Sequence, residues 1–146
     1  MLFRMHTFTT QFQMEYDDFA RDVSEYDNLN HILAITDVLV TDYSTIVYDA
    51  AIAGIPFICF GFDYDTYSVE RGFYYDLDKV YPGGVLKTED EIISRIPAVI
   101  RGEDHDRYES FRKRFIEAGG KSTGQILEEL TEKLEKPSHK AENNGE

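Results

Sequence analysis

Cysteine is almost absent. Cys59 stands alone, inside the apolar run PFICF at 56–60. One thiol cannot form an internal disulfide, so a reducing compartment fits, and Cys59 reads as a small core residue. Long apolar runs are missing as well. No stretch approaches the roughly 18 residues of a membrane-spanning helix, and MLFRMHTF at the start lacks the apolar region of a signal peptide. These absences point to the cytoplasm.

Positive charge is scarce: 15 Lys and Arg stand against 28 Asp and Glu, a net charge of −13. Phosphate-backbone binding needs a basic face, so nucleic acid is not the expected partner. Simple attraction to an anionic membrane surface is disfavoured for the same reason. A small anionic ligand stays open, because helix N-termini and single Arg or His residues act locally. There is no Gly-x-Gly-x-x-Gly run, no Walker-type loop, no Gly-x-Ser-x-Gly elbow and no Cys/His cluster at metal spacing. Asp63 and Asp65 in FDYDTY make only a faint metal pair, so neither metal nor cofactor is expected. No internal repeat is present.

What remains is a globular composition, 42% hydrophobic and 14% aromatic over 146 residues. MLFRM (1–5) and FARDVS (19–24) read as short strands. DNLNHILAIT (27–36) reads as a helix with Asp27 or Asn28 as N-cap. DVLVT (37–41) reads as a buried strand, 44–53 as a helix closed by Gly54 in the left-handed C′ position, and PFICF as the next strand. Two apolar strands around one helix make a βαβ unit, so the sheet should be parallel and covered on both faces. Residues 61–84, rich in Tyr, Asp and Gly, read as a long functional loop. Helices follow at 89–100, where Pro97 should kink or end the first, at 105–115 with Tyr108, Phe111 and Phe115 on one stripe, and at 122–134. The last should open with a Ser122–Gln125 capping box and align Ile126, Leu127, Leu130 and Leu134. From Lys136 on, a loose tail is expected.

Ligands of open α/β sheets sit beyond the carboxyl ends of the strands. Asp42, Ser44 and Thr45 occupy that place. Free backbone N–H groups and hydroxyls there would hold a phosphate, whereas the plainer reading is that Asp42 or Ser44 caps the helix. Arg4 and His6 at the exit of the first strand could face a crevice or serve the structure alone. Arg71 and Gly72 could fold a guanidinium over a phosphate, or Arg71 could pair on the surface with Glu70 or Asp76.

Four blocks taken together, LFRMH (2–6), AITDVLVTDYSTIVYDAA (34–51), RGFYYDLD (71–78) and YPGGVLKTEDEII (81–93), resemble the C-terminal part of the CDP-glycerol glycerophosphotransferases, the teichoic-acid polymerases and primases of Gram-positive bacteria. The resemblance implies an α/β fold, a Rossmann-like parallel sheet with flanking helices, as the C-terminal lobe of a GT-B architecture that binds a CDP-linked donor. It implies that Arg4 and His6 match the family's Arg-x-His motif, with His6 the catalytic histidine facing the donor phosphates. Asp42, Tyr43, Ser44 and Thr45 match Asp-Tyr-Ser-Ser, Thr45 keeping a hydroxyl in place of the last serine. Arg71 and Gly72 match the Arg-Gly-Phe-Tyr block, with Arg71 as a pyrophosphate clamp.

The implied donor is CDP-glycerol. The implied acceptor is a lipid-linked polyol phosphate, met through an N-terminal lobe whose His-Gly-Thr base has no counterpart here, and the complete enzyme would work at the inner face of the membrane as a peripheral protein. Residues 1–135 are then expected to form the donor-binding lobe without its first strand and helix, and 136–146 a tail. The alternatives are a non-catalytic, partner-binding remnant, and a related transferase using CDP-ribitol or a nucleotide sugar.

Overall fold

Short parallel strands and the helices that cover them account for the fold in the computed structural model, which describes residues 1–5, 19–117 and 119–135. His6 and the expected tail lie outside the described residues. Two compact units divide between Asp37 and Val38.

In the first unit, β1 (Leu2–Phe3) pairs in parallel with β2 (Arg21–Asp22), Leu2 opposite Arg21 and Phe3 opposite Asp22. Both expected strands exist, shorter than their apolar stretches. Helix α1 (Leu29–Leu33) follows. Its N-cap is Asn28, not Asp27: the Asn28 side chain accepts from the backbone N–H groups of Asn30 and His31.

The second unit contains β3 (Leu39–Thr41), α2 (Ile46–Ala53), β4 (Phe57–Phe60), α3 (Tyr64–Glu70), α4 (Leu77–Val80), β5 (Val85–Leu86), α5 (Glu89–Ile100), α6 (His105–Phe115) and α7 (Ser122–Glu135). The sheet order is β3-β4-β5 and both pairings are parallel. The βαβ reading of 37–60 is therefore borne out. Gly54 closes α2 at φ +74°, and the Ile55 N–H reaches back to the Ala50 carbonyl.

Alternation along the strands sorts the core. Leu39, Phe57, Cys59 and Val85 share the sheet face that meets Val47 and Ala51 of α2 and Phe111 of α6. Phe57 is its centre. It is 1% exposed and meets Tyr81, Tyr108 and Phe111 edge-on at 5.1–5.7 Å between ring centres. Burying one such side chain is worth about 1.5–3 kcal/mol. Ile58 lies on the opposite face under Ile92 and Val99 of α5.

Four expectations are corrected. Among the described residues β3 is an end strand of its sheet, and Val40, opposite in sense to Leu39, is 43% exposed, so the sheet is not covered on both faces there. The stretch 61–84 is not one loop. It holds α3 and α4, because its tyrosines find an aromatic partner in Tyr43. Pro97 does not end α5, which runs on to Ile100; Pro97 removes one N–H, while its own carbonyl still accepts from Arg101. Ser122 is the first residue inside α7, and the Gln125 N–H bonds the Lys121 carbonyl, so the expected Ser122–Gln125 box is displaced. A capping box does occur at α5, where Thr88 and Glu91 exchange bonds. The apolar residues of α7, Ile126, Leu127, Leu130 and Leu134, are exposed.

Candidate functional site

The carboxyl end of β3 turns into α2 through Asp42, Tyr43, Ser44 and Thr45. One Asp42 carboxylate oxygen accepts the Ser44 N–H at 3.1 Å, and the Ser44 hydroxyl accepts the Ile46 N–H at 3.4 Å. These local bonds shape the corner, as short polar side chains do next to their own backbone. The N-cap itself is Thr45, whose side chain makes no capping bond. The cap of α2 thus lies one residue after Ser44 and three after Asp42, the two residues that the capping reading offered, and Thr45 is exposed. Asp42 and Asp49 both lie close in sequence to the helix start, so the attractive elements toward an anion are the backbone dipoles and the hydroxyls.

Two groups fix this corner from below. The buried Cys59 thiol approaches the Asp42 carbonyl at 3.6 Å, and burial, with the Asp42 charge second, pushes it up to about 12. Cys59 is thus a protonated core thiol, as expected. The Tyr43 hydroxyl donates to an Asp63 carboxylate oxygen at 2.6 Å. Burial first, then that bond and the Asp63 charge, hold the phenol well above its ordinary value, so it stays protonated. The Tyr43 ring lies 4.5 Å from Tyr67 and 5.2 Å from Phe73, centre to centre.

Arg71 sits at the C-terminus of α3, its N–H bonded to the Tyr67 carbonyl, and Gly72 follows at φ +72°. The surface pairing considered for Arg71 does not form. Asp76 pairs with Lys79 at 2.6 Å, and among the described residues no carboxylate pairs with Arg71, which is exposed. Asp63 and Asp65 are also separately engaged, Asp63 by Tyr43 and Asp65 by Lys87 at 2.7 Å. Among the described residues no group of three or more His, Cys, Asp and Glu side chains could hold a metal ion.

In the first unit, Arg4 is occupied otherwise: its guanidinium donates to the carbonyls of Val23 at 3.2 Å and Tyr26 at 2.6 Å. Among the described residues no helix is long and apolar enough to cross a membrane. Sequence reasoning places Tyr43 in a motif without giving it a role and reads Asp63 only as half of a faint metal pair; the cluster of tyrosines at 64–75, which needs a packing partner, is the signal that could have joined them.

A sequence model of the CDP-glycerol:poly(glycerophosphate) glycerophosphotransferases matches residues 1–132. The teichoic acid poly(ribitol-phosphate) polymerase of Bacillus spizizenii is 33% identical over 135 residues, covering 88% of this chain and 21% of that protein. The teichoic acid glycerol-phosphate transferase of Staphylococcus aureus is 36% identical over 100 residues, covering 68% of this chain and 26% of that protein. Among solved structures, the wall teichoic acid polymerase TagF superposes with a TM-score of 0.72 at 27% identity, covering 91% of this chain and 34% of that one. A variant of it soaked with CDPG superposes at 0.69 with 27% identity, covering 92% and 36%. The chain therefore spans between a fifth and about a third of the length of these relatives.

Proposed function

The chain belongs to the CDP-glycerol:poly(glycerophosphate) glycerophosphotransferase family, and from that premise we propose that its Asp42–Thr45 corner grips the pyrophosphate of CDP-glycerol. The observation that carries the reading is the mouth of α2, where the N-cap Thr45 makes no side-chain capping bond beside the Ser44 turn at the carboxyl end of β3. Such a corner offers N–H dipoles and hydroxyls in a fixed frame, the usual way a helix start holds phosphate. Arg71, exposed at the end of α3 and paired with no carboxylate among the described residues, supplies the positive charge that the acidic corner lacks. Residues 1–135 are the donor-binding part.

The reaction is transfer of glycerol phosphate to a hydroxyl of a lipid-linked polyol-phosphate acceptor. The acceptor oxygen bonds the phosphorus that carries glycerol, the bond from that phosphorus to the bridging oxygen breaks, and CMP leaves with the electron pair. The acceptor proton goes to a base outside the described residues. This chain's part is to hold the diphosphate in line and to offset the charge that grows on CMP, which is where phosphoryl transfer gains most. Arg4, committed to two carbonyls, positions the backbone of its own unit. His6 keeps the phosphate-facing role that the motif gives it.

Calorimetry with CDP-glycerol tests the reading. Saturable binding is expected, with Ser44→Ala and Arg71→Ala each weakening it about tenfold, the size of a lost charge-assisted hydrogen bond. His6→Ala tests the histidine separately. Equal affinity in Ser44→Ala, Arg71→Ala and the parent overturns the assignment. A CDP-ribitol donor is the second reading, favoured by the poly(ribitol-phosphate) polymerase being as similar, at 33%, as the poly(glycerol phosphate) polymerase of the same species. Competition between the two CDP-polyols decides between them.

A further inference from the structure

The hydroxyl corner and the Arg71 turn are built on different elements, yet one side chain joins them. Tyr43 lies inside the corner, directly before Ser44. Its ring packs on Tyr67, one turn before Arg71, and on Phe73, two residues after it. Tyr67 and Phe73 themselves stack at 5.2 Å with their planes 19° apart, so the segment carrying Arg71 is folded around the Tyr43 ring. The Tyr43 hydroxyl is tied at 2.6 Å to Asp63, at the start of α3.

Gly61 completes the arrangement. A β-carbon there would lie 2.7 Å from the Tyr43 hydroxyl oxygen, 2.9 Å from its ring and 2.6 Å from Val85. Tyr43 therefore passes directly over the end of β4, and only glycine leaves the room.

We propose that Tyr43 is a positioning residue: held by Asp63, it fixes the place of Arg71 relative to the Ser44–Thr45 hydroxyls, so that both can meet one diphosphate. The inference rests on the donor reading above and adds to it which group sets the geometry. A hydroxyl anchored to a carboxylate resists rotation and sliding of the ring, which stacking alone allows. Loss of the anchor lets α3, and Arg71 with it, drift relative to the corner. The phosphate contacts remain available, but no longer in register.

Tyr43→Phe keeps the ring and removes only the hydroxyl. Measured by calorimetry against CDP-glycerol, it should bind about tenfold more weakly than the parent. Asp63→Ala should lose the same factor, the double variant no more than either, and Asp63→Asn, which keeps an accepting oxygen, should stay within about twofold. Tyr108→Phe serves as the structural control. It removes an equally short hydroxyl bond, 2.6 Å to the Phe57 carbonyl, and should lower the melting temperature while leaving affinity unchanged. Parent-like affinity in Tyr43→Phe, with binding lost in Ser44→Ala, overturns the positioning role and leaves the donor reading standing. Additive losses in the double variant overturn the role as well. A parent chain that does not bind CDP-glycerol overturns the donor reading, and the role falls with it.

Discussion

Single residues show where local chemistry was readable and where it was not. Cys59 was readable, because an isolated cysteine in an apolar strand has little to do but pack. Its thiol is pushed up to about 12 by burial and by Asp42. It therefore stays protonated at neutral pH, and a thiol-specific chromogenic reagent should react with it only after unfolding; stoichiometric reaction in native buffer would contradict its placement. Ser44 was half readable. Its hydroxyl does bond a helix N–H, as the capping view held, but the cap position belongs to Thr45, which makes no such bond. Tyr43 was readable as part of a motif but not in its packing, since its partners Asp63, Tyr67 and Phe73 lie 20 to 30 residues away and only the folded chain brings them to it.

Elements divide by whether their signal is local. The βαβ stretch carries its own periodicity and its own stop at Gly54, so it was legible. Helices α3 and α4 were not, because seven and four polar-looking residues show no stripe, and Tyr64, Tyr67 and Leu77 earn burial only against distant side chains. The capping box of α5 gives a pH test. The N–H groups of Lys87 and Thr88 hold the Glu91 carboxyl below its ordinary value. With the folded value below the unfolded one, Glu91 adds stability that is whole above the unfolded value and is lost as pH falls through the folded one. The stability deficit of Glu91→Gln, measured by thermal unfolding, should be largest near neutrality and shrink as pH falls below the ordinary carboxylate value; a deficit independent of pH would contradict the box.

The two last helices make a matched pair of opposites. Phe111 of α6 is 2% exposed among Phe57, Tyr81 and Phe115, whereas Leu130 of α7 is 51% exposed. Phe111→Ala should cost about 3–5 kcal/mol and Leu130→Ala no more than about 0.5 kcal/mol, measured by denaturant unfolding. Comparable costs would mean that α7 is packed and not exposed. The sequence gives both helices an apolar stripe, and a stripe alone does not tell which one finds a partner.

At the scale of the molecule, the α/β class with parallel strands and flanking helices follows from two apolar strands around a helix, and the family was legible in four short blocks between residues 2 and 93, within the 1–132 that its model matches. The end position of β3 among the described strands and the third strand β5 did not follow, because strand order depends on pairings among segments far apart in sequence. The whole account turns on where a CDP-linked diphosphate meets this surface. Amide chemical-shift mapping during titration with CDP-glycerol reads that directly. The largest shifts are expected at the N–H groups of Ser44, Thr45 and Ile46, with smaller ones at Arg71 and Gly72. Saturating shifts centred elsewhere, with the Ser44–Ile46 amides unmoved, would contradict it.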